Sequence, residues 1–191
     1  MPIAMEPFKY KPLPRDGLHL RTMMLLPAVK FKDPVVCLLR HCLWDHDKLR
    51  LQMEDEGRPG SIIEPYQALS YVWGDVGITA PISVDGKMLS VTVNLWTALR
   101  YLRSYEGEPC HLWADAICID QTNVQERGHQ VQRMRDIYER AKGVTVWLGD
   151  GPIYLPHTFS IALDGFLKDV LANSWFRRIW VRLHNRFSVR N

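Results

Sequence analysis

Three short apolar runs, separated by segments with helical periodicity, constrain the fold of this chain more than any other feature. The runs occupy residues 69–73, 112–119 and 144–148. Continuous apolar character of this length is typical of strands that are buried on both faces, as in a parallel sheet. Strands that alternate with helices imply right-handed crossover connections. We therefore predict an α/β fold with a mostly parallel sheet and flanking helices.

The segments around these runs predict a β-hairpin and a helix. Asp85-Gly86 separates two stretches in which apolar and polar residues alternate. Both central positions of a type I′ turn require positive φ, which this dipeptide tolerates. Asn94 is the predicted N-cap of the helix that follows. The apolar face of that helix comprises Leu95, Ala98, Leu99 and Leu102.

A second helix is predicted after residue 121. Thr122 and Gln125 form a capping box at its start, and Asn123 and Glu126 offer an alternative frame for the same motif. Apolar residues then recur at helical spacing. We predict that three of them face the core: Val131, Met134 and Tyr138.

Composition and charge argue against a nucleic-acid-binding protein and a membrane-spanning protein. The chain has 191 residues and a formal net charge of +3, which is too weakly basic to indicate nucleic-acid binding. No apolar run approaches the ~18 residues that a membrane span needs, and the N-terminus lacks a signal-peptide pattern. We therefore expect a cytoplasmic protein with no membrane span.

The cysteines predict neither a disulfide framework nor a metal site. No CxxC pair is present, which is typical of free thiols in a reducing compartment. The four cysteines are Cys37, Cys42, Cys110 and Cys118. Two of them lie near His41 and His46, but these four side chains lack the ligand spacing of zinc sites. We predict no metal ligand in this chain.

Three segments carry a specific family resemblance. They are YQALSYVWGD at residues 66–75, LWADAICIDQ at residues 112–121 with its continuation to Ala141, and VWLG at residues 146–149. In this order and with these gaps, they resemble the HET (heterokaryon-incompatibility) domain family of filamentous fungi. The resemblance extends over roughly residues 20–181, so it does not depend on one short motif.

The resemblance implies a domain organisation and a more specific fold. We expect an N-terminal extension at residues 1–17, the HET domain at residues 18–181 with its core motifs at 66–149, and a divergent basic tail at residues 182–191. HET domains are regarded as similar to the TIR fold, which is a flavodoxin-like, mostly parallel sheet. The predicted hairpin is then an addition to that sheet.

The resemblance also implies two alternative functions. The first is a signalling module that associates with a protein partner or with itself in fungal non-self recognition and regulated cell death. It needs no cofactor. The second, by analogy to enzymatic TIR domains, is an NAD glycohydrolase for which NAD is the substrate. Fold analogy is weak evidence for chemistry, so we favour the first function.

The C-terminal part departs from the family pattern. WFRRIWV at residues 175–181 is similar to a family motif that continues into a Gln-Glu pair, but here Leu183 and His184 occupy those positions. By this correspondence Trp180 matches the tryptophan that precedes a catalytic glutamate in TIR-type NAD hydrolases. Histidine cannot stabilise positive charge as a carboxylate does. We therefore expect a C-terminally shortened domain in which NAD cleavage is impaired.

Two carboxylates remain as catalytic candidates, Asp115 and Glu126. Asp115 lies in an apolar run, where an unpaired carboxylate is costly, so we expect it to pair with Arg127 or a backbone N–H. Ligands of open α/β sheets bind beyond the carboxyl ends of strands. The candidate crevice residues there are Trp73, Gly74, Asp75, Asp120, Gln121 and Arg127. Turn formation, helix capping and a solvated Glu126–Arg127 pair are the structural alternatives.

Overall fold

The computed structural model describes residues 5–14, 19–45, 50–53, 65–105 and 107–149. These residues form an α/β domain, as predicted. Its elements in chain order are β1 (His19–Leu25), β2 (Val36–Asp45), β3 (Arg50–Met53), β4 (Gln67–Tyr71), β5 (Thr79–Val84), β6 (Lys87–Thr92), α1 (Val93–Leu102), β7 (Cys110–Trp113), α2 (Asp115–Cys118), α3 (Val124–Gln132), α4 (Met134–Arg140) and β8 (Gly143–Trp147). The predicted basic tail at residues 182–191 lies outside the described residues, as do Trp180 and His184.

The strands form one mixed sheet in the order β6-β5-β2-β1-β7-β4-β8, with β3 paired to β2. The three apolar runs supply β4, β7 and β8, which are parallel to one another as predicted. β1 lies between β2 and β7 and is antiparallel to both, while β5 is parallel to β2. The carboxyl ends of β5, β2, β7, β4 and β8 therefore lie along the same side of the sheet, which we call the carboxyl edge.

The predicted hairpin is confirmed. β5 and β6 pair in antiparallel register from Thr79↔Thr92 to Val84↔Lys87, which leaves Asp85 and Gly86 as the two turn residues. Their φ values are 50° and 77°, which is the positive φ at both positions that a type I′ turn requires.

The prediction of a strand over the whole of residues 112–119 is wrong in its second half. β7 ends at Trp113, and Asp115–Cys118 forms a single helical turn, α2. The carbonyl of Ala114 accepts hydrogen bonds from the N–H groups of Ile117 and Cys118, and the Asp115 carboxylate accepts one from the N–H of Ala116. Apolar character predicted burial correctly, but it does not separate a buried strand from a buried helical turn.

The predicted cap of α1 is also wrong, although the helix is confirmed. Thr92 is the N-cap, and its hydroxyl accepts a hydrogen bond from the N–H of Leu95 at 3.5 Å. The predicted face is buried at Leu95, Ala98 and Leu99. Asn94 lies inside the first turn, so its side chain is available for contacts outside the helix.

The second predicted helix is two helices, and this changes which residues are buried. Arg133 has φ −93° and ψ −2° and separates α3 from α4. The break changes the helical phase, that is, the directions in which the side chains of α4 point relative to those of α3. Val131 is therefore 44% exposed, and Ile137 is only 3% exposed. The core assignment is therefore wrong for Val131, while Met134 and Tyr138 are half-buried and pack against the core. Asn123, from the alternative capping frame, accepts the N–H of Glu126.

The edge of the sheet at β8 is more exposed than the sequence predicts. Val144 and Val146 are 47% and 38% exposed, although an interior strand was predicted here. Within the part of the chain that the structure describes, β8 pairs with β4 alone. Apolar composition alone therefore placed β8 too deep in the sheet.

The cysteines are free thiols, as predicted, and three of the four are buried. Burial, with a smaller contribution from the Asp85 carboxylate, raises the pKa of the Cys37 thiol to about 12. Cys37 and Cys42 are an odd number of residues apart on β2, so they point to opposite faces of the sheet.

Among the described residues, no group of three or more His, Cys, Asp or Glu is placed to hold a metal ion. No described helix is long and apolar enough to cross a membrane.

We predict that Ile137→Ala lowers the free energy of unfolding by ~2–5 kcal/mol, because it removes a fully buried side chain from the core. Val131→Ala is the matched control on the preceding helix and should cost less than ~0.5 kcal/mol, because Val131 is exposed. Urea denaturation followed by circular dichroism measures both values. Equal losses in the two variants would contradict the change of helical phase at Arg133.

Candidate functional site

The carboxyl edge brings together motif residues that are far apart in the sequence. Tyr71 ends β4, Trp73 follows it by two residues, and Asp115 begins α2 directly after β7. The Asp115 carboxylate accepts hydrogen bonds from the Tyr71 hydroxyl and the Trp73 indole N–H, both at 2.9 Å, and from the N–H of Ala116 at 2.8 Å. Asp115 therefore joins the ends of two parallel strands.

The partners of Asp115 differ in part from the prediction. The predicted backbone N–H is confirmed, but Arg127 does not contact the carboxylate and donates instead to the carbonyl of Gln121 at 3.0 Å. Burial, together with the neighbouring Asp115 carboxylate, raises the pKa of Tyr71 well above its ordinary value. The Tyr71 hydroxyl therefore stays protonated and acts as a hydrogen-bond donor throughout the neutral range.

Gly74 and Asp75 form the turn after β4. Gly74 has φ +77°, and a Cβ atom at this position would lie 3.3 Å from the Cβ of Asn94. Asp75 accepts a hydrogen bond from the N–H of Gly77 at 2.8 Å, which closes the turn. Glycine is needed here because the chain has a left-handed conformation and also passes close to α1.

Asn94, which sequence reasoning treated only as a cap, connects three elements at this edge. Its amide nitrogen donates to the carbonyl of Val72 just beyond β4. Its amide oxygen accepts a hydrogen bond from the indole N–H of Trp147, at the end of β8, at 3.0 Å. The sequence signal for this connecting role is an asparagine one residue inside the start of a helix. A side chain at that position that does not cap the helix must find other partners.

Gln121, Asp120 and Arg127 shape the loop between α2 and α3. Gln121 donates to the carbonyl of Asp115 at 2.8 Å, and so contacts the Asp115 cluster through the backbone. Asp120 accepts hydrogen bonds from the N–H and hydroxyl of Thr122. Of the six crevice candidates, Trp73 and Gln121 contact Asp115, Gly74 and Asp75 form the turn after β4, and Asp120 and Arg127 hold the loop between α2 and α3.

Glu126 is not the partner of Arg127; it forms a buried ion pair with Arg21 of β1. The Arg21 guanidinium is fully buried and donates to both Glu126 oxygens, at 2.6 and 3.1 Å. Glu126 also accepts the N–H of Asp120 at 2.8 Å. A bidentate pair of this kind combines charge with fixed geometry.

Arg21 was missed by the sequence analysis. Its guanidinium also donates to the carbonyls of Cys118 and Lys11 and to Nε2 of His41, and it lies 5.0 Å from the centre of the Tyr10 ring. An arginine within the apolar strand His19–Leu25 is the signal that could have revealed it. A buried cation needs an acidic partner elsewhere in the chain.

Both candidate carboxylates are hydrogen-bonded within the protein. Each of the four carboxylate oxygens of Asp115 and Glu126 accepts at least one hydrogen bond from protein donors. A catalytic carboxylate must instead reach the reacting atoms of a substrate. In the described part of the chain, both residues join elements that are distant in the sequence.

Two cavities in the described residues lie away from the Asp115 cluster. One, of about 260 Å³, is bounded by Pro12–Pro14 and the first two turns of α3, including Glu126 and His129. The other, of about 370 Å³, lies between the N-terminal segment, β2 and the β5–β6 hairpin. Glu126 lines the first cavity, and its ion-pair partner Arg21 lines the second.

A double-mutant cycle tests the role of Asp115. In Asp115→Asn, the new amide N–H₂ faces the indole N–H of Trp73, so two donors meet and the free energy of unfolding should fall by ~1–3 kcal/mol. Adding Trp73→Phe removes the opposing donor. The loss of unfolding free energy in the double variant should therefore be smaller than the sum of the two single losses by at least ~0.5 kcal/mol. Urea denaturation of the four proteins measures the coupling. Strict additivity would contradict a direct Asp115–Trp73 contact.

Comparison with known proteins adds a family to this geometry. Residues 66–153 match the family model described as heterokaryon incompatibility protein (HET), so the match contains Trp73, Asn94, Asp115, Gln121, Glu126 and Trp147. No solved structure matches the chain significantly.

A curated relative matches a larger part of the chain. The chain is 39% identical, over 143 residues, to "Heterokaryon incompatibility protein 6, OR allele" of Neurospora crassa; the match covers 69% of this chain and 19% of that protein. The matched region is thus about a fifth of the length of the relative. From its family motifs and this similarity, the chain belongs to the fungal heterokaryon incompatibility (HET) family.

Proposed function

We propose that this chain is a cytoplasmic signalling module of fungal non-self recognition, and that it triggers regulated cell death by associating with another protein. Membership of the HET family and the name of the Neurospora relative support a role in incompatibility. We further propose a TIR-like core made of β7, β4 and β8 with their connecting helices, to which β1, β2, β3 and the β5–β6 hairpin are added. The three mutually parallel strands support this assignment.

The observation that carries the proposal is the engagement of Asp115 and Glu126. Both residues lie at the carboxyl edge, where a ligand or substrate of an α/β fold binds, yet all of their oxygens accept hydrogen bonds from the protein itself. Breaking either set of contacts would leave a buried charge without partners, which costs several kcal/mol. This favours a rigid recognition module over an active site built on these two groups.

Within the part of the chain that the structure describes, β8 is an exposed edge strand, and this supports association as the mode of action. An edge strand presents unpaired N–H and C=O groups to which another strand can add. Val144 and Val146 extend an apolar surface beside that edge. A second copy of this chain is the simplest partner, because two identical edges can pair about a twofold axis.

Association is tested with a charge placed on this edge. We expect the wild-type chain to sediment as a dimer at a protein concentration of about 100 µM, because weak, transient complexes form in this range. We also expect its expression in a fungal host to stop hyphal growth. Val146→Lys should shift sedimentation to the monomer and restore growth, because it places a charge in the apolar contact. Val29→Lys, at an exposed position after β1, is the matched control and should behave as wild type.

The outcomes distinguish the parts of this proposal. If the wild-type protein stays monomeric but arrests growth, it acts by binding a different partner and not by self-association. A protein that neither associates nor arrests growth would contradict the proposal. Equal effects of the two lysine substitutions would remove β8 as the contact surface.

The alternative function is NAD glycohydrolysis, and it makes an opposite prediction. A carboxylate at the reaction centre would stabilise the positive charge that develops on the ribose as nicotinamide leaves. Glu126 and Asp115 lie at the carboxyl edge, which is the suitable position for this role. The alternative is retained for this reason. Because their oxygens are engaged, we predict that the purified, folded chain releases no nicotinamide from NAD, as followed by chromatography.

Two variants assign any activity that does appear. Turnover that survives in His184→Ala but disappears in Glu126→Gln would identify Glu126 as the catalytic carboxylate, provided that circular dichroism shows the Gln variant to be folded. Robust turnover in the wild-type chain would by itself overturn the preference for a non-enzymatic module.

A further inference from the structure

We propose that the turn between β1 and β2, together with the end of α1, binds the surface of a bilayer that contains anionic lipids. We call this surface the basic aromatic patch. It consists of Lys30, Phe31 and Lys32 from the turn and Arg100 and Tyr101 from α1. None of these residues lines either of the two cavities described above. The proposal does not depend on the signalling function proposed above.

The patch exposes aromatic rings beside lysine side chains. Lys30, Phe31 and Lys32 are consecutive and are all exposed. Phe31 is 39% exposed and Tyr101 is 55% exposed, and their rings meet edge to face with centroids 5.1 Å apart. The Arg100 guanidinium lies 4.0 Å from the centre of the Phe31 ring. Exposed aromatic and basic side chains in this combination are typical of surfaces that rest at the headgroup level of a membrane.

A buried arginine holds the backbone of the turn in one conformation. Arg103, the C-cap residue of α1, is only 2% exposed. Its guanidinium donates hydrogen bonds of 2.6 to 3.0 Å to four carbonyls of the turn, those of Lys30, Phe31, Asp33 and Pro34. Because the turn is ordered before it meets a partner, binding orders little additional backbone.

The positive charges of this region are not neutralised by carboxylates. Within the described part of the chain, no carboxylate forms an ion pair with any of its four cations, which are Lys30, Lys32, Arg100 and Arg103. Residues 26–35 and 93–103 contain one acidic residue, Asp33, whose carboxylate accepts the backbone N–H of Lys30 at 2.8 Å. Four cations and one carboxylate give these two segments a net positive charge, which favours an anionic partner.

The shape and composition of the patch favour a lipid surface over an acidic peptide. Four residues in succession, 29–32, are exposed, which is typical of a turn that projects from a protein and not of a groove that encloses a peptide. The cytoplasmic leaflet of a cell membrane is negatively charged and attracts lysine and arginine near its surface. Aromatic rings can enter the headgroup region while the lysine side chains extend their charges to the lipid phosphates.

The experiment is co-sedimentation of the full chain with two kinds of lipid vesicle. One kind is phosphatidylcholine alone, and the other also contains about 30% phosphatidylserine, which supplies the negative surface potential. We expect the chain to bind the anionic vesicles, and raising the salt concentration from about 0.1 M to about 0.5 M should weaken this binding because charges are screened. No binding to the anionic vesicles by the folded chain would overturn the proposal. Equal binding to the two kinds of vesicle would overturn it as well.

Matched lysine variants connect the binding to the patch. Lys30→Gln and Lys32→Gln should each weaken binding to the anionic vesicles about fivefold, which corresponds to one cation near an anionic membrane. Lys87→Gln makes the same change of net charge at a lysine that already lies 3.7 Å from Glu6, so it should weaken binding less than about twofold. Equal losses in the three variants would show that binding follows the net charge of the chain, and would overturn the assignment to this patch.

Two further variants separate the aromatic contribution from the charge. Phe31→Ala removes an exposed ring but no charge, so it should abolish the part of the binding that survives at high salt. Unchanged binding at high salt would remove the rings from the contact. Val29→Lys adds a cation beside Lys30 and should bind the anionic vesicles at least as tightly as the wild-type chain, which a loss of structure could not do.

An acidic protein is the competing partner, and poly-glutamate represents it in the same experiment. Binding of the wild-type chain to the anionic vesicles, with the losses expected for Lys30→Gln and Lys32→Gln, would support the bilayer. If the chain binds poly-glutamate in isothermal titration calorimetry but does not sediment with the anionic vesicles, the partner is an acidic protein segment and the proposal is wrong.

Discussion

The buried ion pair between Arg21 and Glu126 is the interaction on which the arrangement of this domain depends. A guanidinium in the middle of an apolar strand must be paired, because an isolated buried charge costs many kcal/mol. Glu126 supplies the opposite charge from α3, and the remaining donors of Arg21 reach the carbonyls of Cys118 and Lys11. One side chain of β1 therefore sets the positions of α3, of the end of α2 and of the N-terminal segment.

The Asp115 cluster performs a similar role one strand further along the sheet. Its carboxylate joins the ends of β4 and β7, and Asn94 adds α1 and β8 to the same edge. These residues, which lie within the segment that matches the family, thus hold the carboxyl edge together. Within the described residues, β8 forms an exposed edge of the same sheet.

Several features could be predicted from the sequence because their causes are local. Asp85-Gly86 defined the hairpin, since few dipeptides accept positive φ at two successive positions. The apolar runs located β4, β7 and β8 and their parallel pairing. Other features depend on contacts between distant residues and were mispredicted. Residues 115–118 are buried as a helical turn, Val131 is exposed because the helix breaks at Arg133, and β8 is an exposed edge within the described residues.

The sequence by itself determined the fold class, the hairpin, the free thiols and the family, because periodicity, turn chemistry and motif order are all properties of the linear chain. Only the tertiary structure decided which partners the polar motif residues contact. From the sequence, structural roles were favoured for Asp115 and Glu126, but both stayed candidates for catalysis. Their partners, Tyr71 and Trp73 for the first and Arg21 for the second, lie 42 to 105 residues away along the chain. A carboxylate takes its role from the donors that surround it, and those donors meet only when the strands are placed side by side.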